Sequence, residues 1–177
     1  GQSATFLALM NVLESGDHLV ASSTIYGGSV NLLSITFRKF GIEVSYVDPD
    51  AAAEEIEKLI RPNTKAVFGE IMANPAMNVL DIEKFASVAH AHDIPLFVDN
   101  TFATPVLCQP FRFGADIVIH STTKYMDGHA LQVGGVIVDG GSFNWANGKF
   151  PGLSTPDASY HGIVYTDTFK EAAYITK

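Results

Sequence analysis

Ile117-Val118-Ile119-His120-Ser121-Thr122-Thr123-Lys124-Tyr125 is an apolar, β-branched run that ends in hydroxyl residues and then in one lysine. β-Branched residues suit a buried, pleated strand, so the hydroxyls and the amine fall where the strand leaves its sheet. A lysine there can form a Schiff base with an aldehyde, and hydroxyls beside it can hold a phosphate. The same residues also suit a strand running into a solvated loop. The rest of the chain decides between the two.

Working outward, the pattern repeats. In residues 3–14, Phe6, Leu7, Met10 and Leu13 recur at helical spacing before a stop at Gly16. His18-Leu19-Val20-Ala21-Ser22 reads as a strand ending in Ser23-Thr24-Ile25-Tyr26-Gly27-Gly28. A helical pattern through Val30, Leu33, Phe37 and Phe40 follows, then the strand Ile42-Glu43-Val44-Ser45-Tyr46-Val47. Asp50 is expected to cap a helix over residues 51–60, closed by Pro62. Residues 65–71 form the next strand and run into Met72-Ala73-Asn74-Pro75. Asp81 is expected to cap a helix carrying Ile82, Phe85, Val88 and Ala89, with His90 and His92 on its solvated last turn. Ile94-Pro95-Leu96-Phe97-Val98 delivers Asp99-Asn100-Thr101, and residues 133–138 form a last strand after the opening stretch. Beyond Gly140 the pattern reads as loop.

Six strands, near-continuous apolar runs apart from the alternating residues 42–47, interleave with helical patterns, which predicts an open, mostly parallel α/β sheet with helices on both faces. No internal repeat points to a solenoid or barrel. The length of 177 residues fits one domain with its own core. With 47% hydrophobic and 17% charged residues the composition is globular rather than disordered. A net charge of −8 argues against nucleic acid as partner, because such binders carry a basic stripe. The single cysteine, Cys108, excludes an internal disulfide framework and fits a reducing, cytoplasmic setting. No apolar run approaches the roughly 18 residues of a membrane span. The chain opens on Gly1 and stops without a closing signal at residues 172–177, so it is expected to be part of a longer polypeptide.

In open α/β sheets ligands bind outside the carboxyl ends of the strands. The residues expected there are Tyr26, Glu70, Asn74, Asp99, Ser121, Thr123 and Lys124. A dinucleotide fingerprint, a phosphate-cradling P-loop and metal-ligand spacings are all missing from the sequence. One cofactor uses every group present: pyridoxal 5′-phosphate. Lys124 would hold its aldehyde and Asp99 would pair with the pyridinium nitrogen. Tyr26 would stack on the ring. Ser121 and Thr123 would hold the phosphate, joined by the backbone N–H groups of Gly1 and Gln2 at a helix start.

Five segments carry a family resemblance, in order: Gly1-Gln2-Ser3-Ala4, Tyr26-Gly27-Gly28, Glu70 through Asn74-Pro75, Val98-Asp99-Asn100-Thr101, and His120 through Lys124-Tyr125 with Gly128-His129. The chain resembles the Cys/Met-metabolism family of pyridoxal-phosphate enzymes over essentially its whole length. The stretch Ser121 through His129, Gly134 through Gly141, Phe143-Asn144-Trp145 and Thr155 through Gly162 look most like its O-acetylhomoserine sulfhydrylase branch. Cystathionine lyases of the family carry an arginine where this chain has Asn31.

The resemblance implies an aspartate-aminotransferase-like large domain, with one more strand and a partner-subunit Tyr/Arg pair upstream of Gly1, and a small domain after it. It also implies a homotetramer acting on an amino-acid substrate, with γ-replacement of O-acetylhomoserine by sulfide. Methionine γ-lyase or a cystathionine-type activity is the alternative; a nicotinamide-dependent oxidoreductase or a non-catalytic binding module is further off. The implied roles are Lys124 as Schiff-base and proton-transfer lysine, Asp99 at the ring nitrogen, Asn74 at the 3′ oxygen and Tyr26 in stacking and proton transfer.

Overall fold

The computed structural model describes every residue from Gly1 to Lys177. Six strands form one sheet: β1 His18–Ser22, β2 Glu43–Val47, β3 Thr64–Glu70, β4 Leu96–Asp99, β5 Ile117–His120 and β6 Val136–Asp139. Their spatial order is β2-β1-β3-β4-β5-β6. The first five are mutually parallel and β6 runs antiparallel to β5. The chain moves from β1 outward to β2 and then returns across β1 to β3, so the order reverses between β1 and β3. That reversal point is where a crevice opens at the carboxyl ends of such sheets.

Both faces of β1, β3, β4 and β5 are covered, which is why they read as apolar runs, whereas the edge strands β2 and β6 are only partly buried. Leu19, Ala21, Phe68, Phe97, Ile117 and Ile119 point to one face, where α1 (Gln2–Met10) packs. Val20, Val67, Leu96, Val98 and Val118 point to the other, under α4 (Ala53–Glu57) and α5 (Ile82–Ala91). Between β1 and β2 runs one helical rod: α2 (Gly27–Asn31), a π-helical turn (Leu32–Thr36) and α3 (Phe37–Lys39). Asp81 caps α5 as expected, its carboxylate accepting the Lys84 N–H at 3.0 Å.

Three expectations are corrected. Asp50 does not cap α4, whose N-cap is Ala52; its carboxylate accepts from the Asn78 amide at 3.0 Å instead. The reason lies in the preceding turn, where Asp48 takes the Asp50 N–H at 2.9 Å and holds Asp50 away from the helix start. His90 and His92 are not simply solvated: His90 Nε2 lies 2.8 Å from the Asp116 carboxylate and His92 Nε2 lies 3.2 Å from Glu57. Beyond Gly140 the chain is not loop alone. Short helices α7 (Pro151–Ser154), α8 (Tyr165–Phe169) and α9 (Ala173–Thr176) follow the short α6 (Thr104–Leu107) and cover the α1 face. Trp145 and Tyr174 stack there at 5.0 Å, the Tyr174 hydroxyl donates to the Ala8 carbonyl at 2.8 Å, and the Asn11 amide donates to the Tyr174 carbonyl at 2.7 Å.

His18 is fully buried on β1, with its ring nitrogens 2.8 Å from the Thr64 hydroxyl and 2.9 Å from the Ser45 hydroxyl. Burial, helped by the Arg61 guanidinium and opposed by Glu43, holds this imidazole at about 4 against an ordinary 6.5. The folded chain therefore resists a proton that the unfolded chain accepts, so the stability His18 provides is present above 6.5 and lost as pH falls toward 4. A thermal-unfolding series should show this descending limb, and His18→Gln, which bonds without titrating in this range, should flatten it.

Candidate active site

Four strand ends meet at the β1/β3 reversal. β3 closes on Glu70 and β4 on Asp99, and these two carboxylates stand opposite one another in the parallel register. β5 delivers His120 and then the Ser121–Lys124 turn; beyond β1 the chain turns at Tyr26 into α2. A cavity of about 80 Å³ opens among them. Of the eight residues expected as site residues, Gly1, Gln2, Tyr26, Asn74, Asp99, Ser121 and Lys124 line it.

Thr123 does not line it. Its hydroxyl is engaged by the loop before β6, accepting the Gly134 N–H at 3.0 Å and donating to the Gly134 carbonyl at 3.3 Å. Lys124 also borders a second, wider cavity of about 610 Å³, walled by Phe102, Tyr125 and residues 128–133. The last strand starts later than expected, at Val136, so Val133 stands 87% exposed in that wall. Gly135 lets this loop pass α1, since a Cβ there would lie 2.5 Å from the Gly1 nitrogen.

Asp99 is mostly enclosed, and burial pushes its carboxyl above the ordinary range. Thr101 opposes this by donating both its backbone N–H, at 3.0 Å, and its hydroxyl to the same Asp99 oxygen. The Thr101 hydroxyl oxygen accepts in turn from the Ser121 N–H at 2.8 Å. One side chain thereby clasps the ends of β4 and β5 and fixes the carboxylate relative to the turn that carries Lys124.

Glu70 is 7% exposed, and its Oε2 accepts the backbone N–H of Tyr26 at 2.6 Å. Burial pushes its carboxyl up to about 7; the Tyr26 N–H works against the shift and Asp99 adds to it. The Tyr26 ring lies over Gly28, where a Cβ would stand 2.4 Å from a ring carbon. The Gln2 side-chain amide donates to the Gly28 carbonyl at 2.6 Å and ties the start of α1 to the start of α2. Asn74 enters from the turn after β3, joined to Pro75 by a cis peptide bond. The start of α1 has no side-chain cap, which leaves first-turn N–H groups for an anion. Thr5, Ser29, Thr101 and Phe102 also line the cavity. Sequence reasoning did not assign them there; the signal available was adjacency, since each sits within three residues of an expected site residue.

The donor set fits pyridoxal 5′-phosphate: an amine for its aldehyde, a carboxylate for its ring nitrogen, an amide for its phenolic oxygen, an aromatic ring, and N–H and hydroxyl donors for its phosphate. Fold and site together define a pyridoxal-phosphate-dependent enzyme with an open α/β sheet. The chain belongs to the Cys/Met metabolism PLP-dependent enzyme family, whose model matches residues 1–155. It is 47% identical over 169 residues to the O-acetyl-L-homoserine sulfhydrylase of Leptospira meyeri, a match covering 96% of this chain and 38% of that protein. It is 46% identical over 178 residues to the homocysteine/cysteine synthase of Saccharomyces cerevisiae, covering 99% of this chain and 40% of that protein. A Campylobacter jejuni structure holding an N'-pyridoxyl-lysine-5'-monophosphate superposes with a TM-score of 0.91 at 39% identity, covering 98% of this chain and 44% of that one. The chain thus spans less than half the length of each of these relatives.

Gly28→Ala separates ring placement from folding. Alanine in place of a helical glycine favours the fold by up to about 1 kcal/mol, so the unfolding midpoint should stay level or rise. The Tyr26 ring must nevertheless move off Gly28, and its aromatic NMR resonances should shift. Unshifted resonances would show that the ring does not rest there.

Proposed function

We propose that the protein of which this chain is part converts O-acetyl-L-homoserine and sulfide to L-homocysteine and acetate. The observation that carries this is the convergence of Lys124, Asp99, Asn74 and Tyr26 on one cavity, in a chain 47% identical to a sulfhydrylase. When bound, pyridoxal 5′-phosphate supplies an aldehyde for the substrate amine and an electron sink for proton removal at its α-carbon.

The chain's residues supply the rest. Lys124 holds the cofactor and, once free, moves protons at Cα and Cβ of the substrate as general base and acid. Asp99, clasped by Thr101, would hold a proton on the ring nitrogen, and a cation beside it would offset the burial that raises the Asp99 carboxyl. Asn74 donates to the phenolic oxygen. The first-turn N–H groups of α1 and the Ser121 hydroxyl would hold the phosphate. Tyr26 stacks on the ring, and its phenol takes a proton from the substrate amine or serves at Cγ. At that carbon the C–O bond breaks, acetate leaves with the electron pair, and sulfide forms the C–S bond. The same reading carries a cytoplasmic homo-oligomer, in keeping with the lone Cys108, which pairs with no other cysteine.

Full-length protein given O-acetylhomoserine and sulfide should form homocysteine, and methionine alone should give little product. Cleavage of methionine without sulfhydrylation would make the protein a γ-lyase instead. Lys124→Ala should remove the near-visible absorbance of a lysine-bound pyridoxal and cost at least about 10³-fold in turnover. Asp99→Asn should keep the cofactor bound yet lower turnover by about 10²-fold or more, because an amide cannot hold the ring nitrogen's proton. Parent-like turnover would reduce Asp99 to a turn residue.

A further inference from the structure

Tyr26 and Glu70 stand on opposite sides of the β1/β3 reversal, and a single hydrogen bond of 2.6 Å joins them across it. A carboxyl group that is 7% exposed and takes part in no ion pair is costly to bury. Its one bonded neighbour is a backbone N–H, not a cation, while the side chain lines the cavity beside Asp99 and Lys124. The Tyr26 ring, by contrast, is half exposed and its phenol bonds to nothing in the chain. Backbone therefore decides where the ring stands. On the helix side that backbone is held by the Ser29 and Val30 N–H groups, which donate to the Tyr26 carbonyl at 2.8 and 3.0 Å. On the sheet side Glu70 is the hold. Without it the first turn of α2 could pivot about Gly27 and Gly28, the two residues that offer least resistance.

We propose that Glu70 is a positioning residue for the reaction: its hydrogen bond to the Tyr26 backbone N–H sets where the tyrosine ring and phenol stand over the site. This rests on the cofactor site proposed above, and it gives Glu70 a task distinct from those of Lys124 and Asp99. Glu70 touches no reacting atom; it acts through Tyr26. What matters is therefore the reach of its acceptor oxygen, not its charge.

Two substitutions separate reach from charge in the full-length holoenzyme. Glu70→Gln keeps an oxygen at the same distance and removes the charge, whereas Glu70→Asp keeps the charge and draws the oxygen back by one methylene. With displacement of a positioned group by about 1 Å able to cost about 10²-fold, kcat/KM should fall by tens-fold in E70D and stay within about threefold of the parent in E70Q. The E70D loss should also vanish when the ring is already gone: E70D added to Tyr26→Ala should cost no more than about twofold, the non-additivity of two residues acting through one contact.

The reverse order, with E70Q impaired and E70D near the parent, would overturn the proposal by showing that Glu70 works through its charge. Equal losses in both, parent-like activity in both, or a full E70D loss persisting in the Tyr26→Ala background would overturn it as well. If the parent turns over a substrate other than O-acetylhomoserine, the proposed reaction fails. The coupling is then measured on that substrate and the positioning claim stands or falls by itself.

Discussion

A parallel strand buried on both faces carries its polar side chains at its ends, where each needs a partner or a cavity. Along β1, β3, β4 and β5 the middle of each run packs against one core or the other; polar residues at the amino ends, His18 and Thr64, bond each other, while Glu70 and Asp99 at the carboxyl ends border the crevice. Glu70, Asp99 and Ser121 all project toward the α1 side, because they continue the alternation of Phe68, Phe97 and Ile119. The packing constraint that makes the sheet stable is the same one that gathers the chemistry into a single crevice. Reversal of strand order between β1 and β3 then brings Tyr26 into it from the far side.

This explains what was legible in the sequence. The strands could be read because burial on both faces leaves unbroken apolar runs, and the site could be read because each run ends in a residue of distinct chemistry. Asp81 was readable as a cap because nothing competes for its carboxylate. Asp50 was not, because Asp48 two residues earlier takes its N–H and turns it toward Asn78. The helices after Gly140 are four or five residues long, too short to show a 3.6-residue period, and they hold their place by aromatic packing that only the folded chain reveals.

The hydrogen bonds that tune the site were beyond reach for a different reason. Thr101 binds Asp99 two residues away, a local contact, yet its second bond to the Ser121 N–H joins adjacent strands and follows from their register. The Glu70–Tyr26 bond spans 44 residues, and Thr123 is diverted to Gly134 by a loop whose path depends on α1. Residue type announces chemistry; register and loop path decide which partner each group meets.

The seating of α1 has a consequence for how the chain is made. The hydrogen bonds that fasten the helix from behind, Tyr174 hydroxyl to Ala8 and Asn11 amide to Tyr174, close separations of 166 and 163 residues. A ribosome delivers Gln2 among the first residues and Tyr174 among the last of this stretch. While most of this stretch is being made, the helix that begins at the cavity wall has no tail to lock against, although the strands behind it already exist. The α4/α5 side of the sheet can close as it emerges, while the α1 side waits for a residue more than 160 positions downstream.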